Sequence, residues 1–299
     1  MTQVLCIGSV LWDVIGRSAS VMRLGSDVPG RITQIPGGVA LNIAMTLARF
    51  GLRPALLSAV GRDVLGDVLV SECEALGLET GFLYRSEDLP TDRYMAVEGA
   101  NGLIAAIADA HSLEAAGDKI LRPLHDGRLG SAAAPFEGLI ALDGNLTEHL
   151  LAQIARDPAF SAADLRVAPA SPGKAERLLP FLSSAPDATG AVLYVNREEA
   201  GILCQTEFAD AESAAQTLVA RGALRALVTD GGALCADADA SGVISERPPE
   251  VLVTRVTGAG DTFMAAHMAA ELAGQDRATA LKSALTAAAR YVSGETPHD

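Results

Sequence analysis

Residues 251–272 read VLVTRVTGAGDTFMAAHMAAEL, and this stretch decides the fold. The apolar residues 251–253 predict a strand, the glycine-rich residues 257–261 a turn, and the Ala- and Met-rich residues 262–272 a helix. A strand that passes through a glycine turn into a helix aims free backbone N–H groups at one point, where the helix dipole favours negative charge. The stretch therefore predicts an anion-binding turn at the start of a helix.

The residue types within this turn indicate what it could do. Gly258, Ala259 and Gly260 are small, so a ligand can approach their backbone closely. Asp261 follows in the first helical turn, beside any bound anion. Its carboxylate could accept the proton of a hydroxyl that attacks phosphorus, or it could cap the helix as an ordinary N-terminal carboxylate. The local residues leave both interpretations open.

The rest of the chain alternates short apolar runs with longer helical patterns. Strands are expected at 4–8, 54–60, 139–143, 165–168, 191–195 and 226–229, and helices at 39–50, 64–76 and 277–292 and from 147, 172 and 197. Such alternation is typical of βαβ units in a parallel sheet with helices on both faces. The predicted fold class is therefore α/β.

Residues 12–35 and 80–108 interrupt this alternation. Both stretches are rich in turns, and residues 94–106 have the pattern of a hairpin that turns at 99–102. We predict that the two stretches together form a small antiparallel sheet that projects from one main domain spanning residues 1–299.

Composition excludes several classes of function. The chain has 299 residues and a net charge of −14, which argues against nucleic acid polymers and anionic membranes as partners. The four cysteines and five histidines lack disulfide, redox or zinc-ligand spacing, and no spanning helix or secretory signal is expected, so we expect a cytoplasmic protein. The P-loop, dinucleotide-binding, nucleophile-elbow and H-E-x-x-H motifs are missing from the sequence.

Two further positions are suited to binding a sugar. Gly38 closes a Gly-Gly turn that opens a helix, and the amide of Asn42 would face the same side of that helix as the turn. Asp13 follows the first strand, and ligands of α/β sheets gather at the carboxyl ends of strands. Carboxylate and amide groups suit sugar hydroxyls, although each of these residues, taken singly, also fits a structural role.

Five motifs, in order, resemble those of the ribokinase-like, or PfkB, carbohydrate kinases along almost the whole chain. They are IGSVLWD at 7–13, GGVALNIA with the following LARFG and VGRDVLG at 37–66, NREE at 196–199, TDGG at 229–232 and TGAGDTF at 257–263. The resemblance implies a three-layer α/β/α domain with a mainly parallel central sheet and a small antiparallel β lid formed by about 12–35 and 80–108. It also implies ATP and Mg²⁺ as cofactors, closure of the lid over the sugar, and a homodimer contact through the lid.

The resemblance further implies a role for each candidate residue. Asp261 would be the general base, and the amides around Gly258, Ala259 and Gly260 would stabilise the transferring phosphoryl group. The remaining roles are sugar binding by Asp13, Gly38 and Asn42, contacts to ATP phosphates by Thr229 and Gly231, and organisation of Mg²⁺, through water, by Asn196 and Glu199.

Arg255 departs from the family pattern. Many members carry an Asp at this position, where it helps to hold a monovalent cation near the anion-binding turn. A guanidinium cannot ligate K⁺ but could replace its charge, so we expect an activity that does not depend on K⁺. Alternatively, Arg255 points to solvent and packing holds the loop.

Three segments are most similar to the pseudouridine kinases within this family: residues 91–109, 142–146 and 168–175. This similarity implies that ATP phosphorylates the 5′-hydroxyl of pseudouridine. Another sugar or nucleoside, such as ribose or a ketohexose, is the alternative acceptor. A nucleoside-binding relative without activity is a further alternative, but the intact Asp261, Asn196 and Glu199 argue against it.

Overall fold

A computed structural model describes residues 4–23, 25–182 and 189–295 of the protein. These residues contain strands β1 Val4–Ile7, β2 Leu11–Arg17, β3 Arg31–Gly37, β4 Ala55–Leu57, β5 Ala59–Gly61, β6 Tyr84–Ser86, β7 Arg93–Gly99, β8 Gly102–Asp109, β9 Leu139–Asp143, β10 Asp164–Ala168, β11 Ala191–Asn196, β12 Arg225–Thr229, β13 Cys235–Asp239 and β14 Gly242–Glu246. The α-helices are α1 Val39–Arg49, α2 Val64–Ala75, α3 His111–Ala116, α4 Glu148–Ile154, α5 Arg197–Cys204, α6 Ala211–Ala220, α7 Ala259–Leu272 and α8 Arg277–Ser293. Within the described ranges, no helix is both long and apolar enough to cross a membrane.

The central sheet has eight strands in the order β14-β13-β12-β11-β10-β9-β1-β4. The strands from β12 to β4 pair in parallel, whereas β13 and β14 add an antiparallel hairpin at one edge. Their side chains are buried on both faces, because α1, α2, α7 and α8 cover one face and α3, α4, α5 and α6 cover the other. The three-layer, mainly parallel architecture predicted from the sequence is confirmed.

The small sheet has four strands in the order β3-β2-β7-β8. It consists of two antiparallel hairpins, β2–β3 and β7–β8, which are joined by a parallel pairing of β2 with β7. Of the second predicted stretch, 80–108, only the part from Arg93 onward belongs to the small sheet. The strand before it, β6, pairs with β5 instead. A covering role for this small sheet stays a prediction.

Three local predictions were wrong. Residues 251–253 form an exposed loop and not a strand. The strand expected at 54–60 divides at Ser58 into β4 and β5, which belong to different sheets. The helix expected from 172 is a 3₁₀ segment, Pro172–Phe181, which contains Pro180 and so lacks one backbone donor.

A buried polar network fixes α7 against the sheet. Glu271 of α7 accepts hydrogen bonds from Arg166 of β10 (2.6 Å) and Arg225 of β12 (2.5 Å). One turn earlier, His267 bonds the hydroxyl of Tyr194 on β11 at 2.8 Å. These contacts fix the C-terminal half of α7, and therefore the position of its N-terminus, on which the candidate site is built.

Candidate active site

Asp261, the predicted general base, and Asn42, a predicted sugar-binding residue, are in direct contact. The Asn42 side chain, on α1, donates a hydrogen bond from Nδ2 to Oδ2 of Asp261, on α7, at 2.9 Å. The two residues lie 219 positions apart in the chain. The N-termini of α1 and α7 therefore meet at the carboxyl edge of the central sheet, where ligands of such sheets bind.

Asp261 does not act as the cap of its helix. The N-cap is Gly258, whose φ of 87° lies in the left-handed region, and Asp261 is the third helical residue after it. A Cβ at position 258 would lie 2.5 Å from the hydroxyl of Tyr291, so both the backbone angle and the space require glycine there. With Asn42 as its hydrogen-bond partner, the Asp261 carboxylate keeps Oδ1 for a substrate.

The electrostatics of Asp261 suit a general base. Burial raises the pKa of its carboxyl to about 7, the hydrogen bond from Asn42 opposes this rise, and the neighbouring carboxylates of Asp143 and Asp13 add to it. A base whose pKa lies near neutral pH combines a useful ionised fraction with a good driving force for proton transfer.

Free backbone donors surround this carboxylate. Among the described residues, the N–H groups of Gly258, Gly260 and Asp261 have no hydrogen-bond partner, and the space above Gly260 is open. The N–H of Ala259 was also expected to face the phosphoryl group. It instead donates to the carbonyl of Val256 at 3.0 Å and closes the turn. Three free N–H groups at a helix N-terminus form an anion-binding nest.

Asp13, on β2, lies close to Gly37 and Gly38 at the start of α1. Burial raises the pKa of Asp13 to about 6, and its carboxylate packs so closely that a Cβ at Gly37 would lie 2.1 Å from it. Gly38 is the N-cap of α1 at a φ of 101°, where a Cβ would meet the carbonyl of Ser9 at 2.5 Å. The two glycines therefore let the chain pass between β1 and Asp13.

A cleft of about 1510 Å³ borders the small sheet and also extends along α1, α7 and α8. Asp13, Asn42 and Gly258 line it, whereas Gly38 and Asp261 are not among the described residues of its lining. Its upper wall is one face of the small sheet, since residues two apart in a strand share a face: Ile15 and Arg17 of β2, and Tyr94, Ala96 and Glu98 of β7.

Asn196 and Glu199 form a capping box at the start of α5. The Asn196 side chain accepts from the backbone N–H of Glu199, and the Glu199 carboxylate accepts from that of Asn196, both at 2.8 Å. Burial raises the pKa of Glu199 to about 7. Each side chain therefore has one oxygen already engaged, which fits Mg²⁺ held through water better than direct ligation by both residues.

Thr229 and Gly231 follow the neighbouring strand. Thr229 ends β12 and lies in register with Asn196 of β11, so the two predicted cofactor groups are adjacent on the carboxyl edge. Gly231 is exposed and has a φ of 56°, a left-handed backbone angle that favours glycine in a tight turn.

Arg255 is bound to the end of α8 and does not extend freely into solvent. Its guanidinium lies 3.9 Å from the centre of the Tyr291 ring, and Nε donates to the Tyr291 carbonyl at 2.7 Å. The Tyr291 hydroxyl in turn donates to the carbonyl of Thr257 at 2.8 Å. Arg255 and Tyr291 together therefore fix the loop that leads into the anion-binding turn.

Sequence reasoning gave no role to Ser9, Asp143 and Tyr291. Asp143 is fully buried at the end of β9 and accepts from the backbone and side chain of Ser9. The signal for Asp143 was its place at the end of a buried strand, next to glycine. Tyr291 left no such signal, since it is one aromatic residue in an Ala-rich helix.

The chain is similar to several known proteins. The family model described as pfkB family carbohydrate kinase matches residues 1–296. A pseudouridine kinase of Escherichia coli (strain K12) is 30% identical over 271 residues, which cover 88% of this chain and 81% of the relative. One of Arabidopsis thaliana is 28% identical over 173 residues, 58% of this chain and 44% of that protein. The structure of Arabidopsis thaliana ribokinase with ribose and ATP shares the fold, with a TM-score of 0.78, 18% identity, and coverage of 97% of this chain and 92% of that one.

Replacing Asp261 by Asn should leave ligand binding intact and lower kcat by about 10²- to 10⁴-fold, because the amide cannot accept the proton. In the unmodified protein, kcat/KM should rise with pH and level off above about 7, where the carboxylate is ionised. Steady-state kinetics between pH 5 and 9 checks both, with Asp126→Asn, in an exposed pair with Arg128, as the matched control. A near-normal kcat in Asp261→Asn would refute the assignment.

Proposed function

Because the chain belongs to the pfkB family of carbohydrate kinases, we propose that it transfers the γ-phosphoryl group of ATP to the 5′-hydroxyl of pseudouridine. The kinase class follows from the family. The choice of acceptor is supported by the similarity to pseudouridine kinases and by the length of the cleft.

The cleft is the observation that carries the choice of a nucleoside. From Asp13 it continues along the strand past Ile15 to Arg17, a distance of roughly 13 Å at the usual rise of a strand. Ile15 and Ala96 line an apolar section of the cleft, and Arg17 pairs with Glu98 beyond it at 2.6 Å. A free sugar would occupy only the end of the cleft near Asp13. The nucleobase of a nucleoside would also cover the apolar section and place its polar edge near the Arg17–Glu98 ion pair.

The reaction follows from the contacts at the end of the cleft near Asp13. Asp13 and Asn42 bind ribose hydroxyls, while Asn42 holds Oδ2 of Asp261 and leaves Oδ1 to face the 5′-hydroxyl. As the 5′-oxygen attacks the γ-phosphorus, Asp261 accepts its proton, the bond from phosphorus to the ADP oxygen breaks, and ADP leaves. The free N–H groups of Gly258, Gly260 and Asp261 stabilise the charge on the transferring group.

Asn196 and Glu199 would hold Mg²⁺ through water, and Thr229 and Gly231 would contact the phosphates beside them. When bound, the ion neutralises charge on the β- and γ-phosphates.

The four cysteines are unpaired thiols, as expected in a reducing compartment, and we propose that the reaction takes place in the cytoplasm.

A panel of acceptors tests the proposal. ADP release should be fastest with pseudouridine and slower with uridine, adenosine, ribose and fructose. Release with fructose but not with pseudouridine would refute the acceptor, and release with none of the five would favour a protein that only binds nucleosides.

The variant Ala96→Leu tests whether the nucleobase occupies the apolar section of the cleft. A leucine would fill the apolar section of the cleft, so kcat/KM for pseudouridine should fall by about 10- to 100-fold while that for ribose is spared. Ala100→Leu, in the exposed hairpin turn, is the matched control. An equal loss with both acceptors would show that Ala96 does not face the base.

We further propose that the outer face of the small sheet contacts a second copy of the chain. Ile32, Met95 and Ile107 lie on the face opposite Ala96 and are 77%, 45% and 60% exposed, so together they form an apolar stripe. Ile107→Asp should convert a dimer to a monomer in analytical ultracentrifugation, whereas Val64→Asp, at an equally exposed residue on α2, should not. A monomeric unmodified protein would contradict this contact.

We propose that the position of Arg255 makes the activity independent of K⁺. Its guanidinium meets the carbonyl end of α8, where the helix dipole favours positive charge, so a fixed cation is already present. The rate should therefore be equal in K⁺ and in tetramethylammonium, whereas Arg255→Asp, which restores the residue of many relatives, should respond to K⁺. A large increase of the unmodified enzyme's rate with K⁺ would overturn the proposal.

A further inference from the structure

Lys174 lies at the same edge of the sheet as the site but has no role in the reaction described above. It is the third residue of the 3₁₀ segment that follows β10, and it donates from Nζ to Oδ1 of Asn145, which follows β9, at 2.5 Å. β9 and β10 are neighbouring parallel strands, so both residues lie at their carboxyl ends. The contact joins two of the segments, 142–146 and 168–175, that resemble pseudouridine kinases.

The charge of Lys174 is not balanced by a bonded carboxylate among the described residues. Its hydrogen-bond partner is a neutral amide, and the nearby Asp143 already accepts from Ser9 N (2.8 Å), the Ser9 hydroxyl and Asn145 N (2.7 Å). Burial and the adjacent Arg177 lower the pKa of Lys174, and the carboxylates of Asp143 and Glu114 partly oppose this. A half-buried ammonium that no carboxylate bonds is costly, and a bound anion would reduce that cost.

Hydrogen bonds connect this lysine to the catalytic carboxylate. Asn145 Nδ2 donates to the Ser9 hydroxyl at 3.1 Å, and the same hydroxyl accepts from the first N–H of α1, that of Val39, at 2.9 Å. α1 carries Asn42, which bonds Asp261. Lys174 is thus held at a fixed position relative to Asp261, across the buried Asp143.

The site needs a positive group at this place. Asp13, Asp143 and Asp261 bring three carboxylates to the cleft and its edge, and their proximity is enough to raise the pKa of Asp261. A phosphoryl group carrying negative charge would be repelled by these carboxylates unless cations faced it, and Lys174 would add to the charge of the proposed Mg²⁺. Lys174 is a cation within electrostatic reach of Asp143, and its amide partner can release it without leaving a buried charge.

We propose that Lys174 is a catalytic residue whose ammonium contacts the γ-phosphoryl group of ATP as it moves to the acceptor, with Asn145 as its positioning residue. The lysine keeps its proton throughout, while the acceptor proton passes to Asp261 and the γ-phosphoryl bond to ADP breaks. This inference rests on the proposed kinase function and adds a residue to it.

The variant Lys174→Met tests the contact by two independent readouts. Loss of the charge should lower kcat by about 100-fold or more and leave the KM of the acceptor unchanged. It should also weaken binding of AMP-PNP, which has a γ-phosphoryl group, by about tenfold, while binding of ADP, which lacks one, stays the same. Lys174→Arg, which keeps the charge, should recover part of both losses.

Lys119→Met is the matched control, since Lys119 lies over the ring of Tyr84 away from the strand ends. An equal loss of AMP-PNP and ADP binding, or a rise of only the acceptor KM, would overturn the contact with the γ-phosphoryl group. If Lys174→Met is unstable, Lys174→Gln gives the same comparison. The nucleotide comparison needs no acceptor, so it decides the role of Lys174 even if every acceptor in the panel fails.

Discussion

The hydrogen bond between Asn42 and Asp261 joins the two ends of the chain, and the rest of the site depends on it. It requires two helix N-termini to meet, and each is preceded by a glycine at positive φ, Gly38 for α1 and Gly258 for α7. The bond fixes one oxygen of Asp261, which leaves the other for a substrate proton beside the free N–H groups. At the far end of α7, the half-buried Glu271 pairs with Arg166 and Arg225, and these pairs hold the helix at a fixed position along its axis.

Much of this site could be predicted from sequence because its determinants are local. A glycine turn before a helix, or a carboxylate after a buried strand, keeps its meaning wherever the chain places it, and parallel strands bring such ends to one edge. The strand expected at 251–253 was wrong because a run of three apolar residues does not reveal whether another strand will pair with it, and these residues stay exposed in a loop. The partners of Arg255 and Lys174, namely Tyr291 and Asn145, depend on contacts that no local pattern records.

The acidity of the chain has a different meaning at the site than over the whole molecule. A net charge of −14 argues against polymeric anions, whereas the site would meet a small anion with oriented N–H groups and a few fixed cations. Clustered carboxylates serve a purpose there, since Asp143 and Asp13 add to the burial that brings the pKa of Asp261 to about 7. The same cluster creates the need for a nearby cation, which connects the base to the proposed role of Lys174.

The most direct measurement is ³¹P and ¹H NMR of the product formed from ATP and pseudouridine, because it identifies the bond that is made. The proposed function predicts one phosphate monoester whose phosphorus couples to the two C5′ protons of the ribose. A phosphate on the 2′- or 3′-hydroxyl, or unreacted pseudouridine in the presence of a folded protein and Mg²⁺-ATP, would contradict the account.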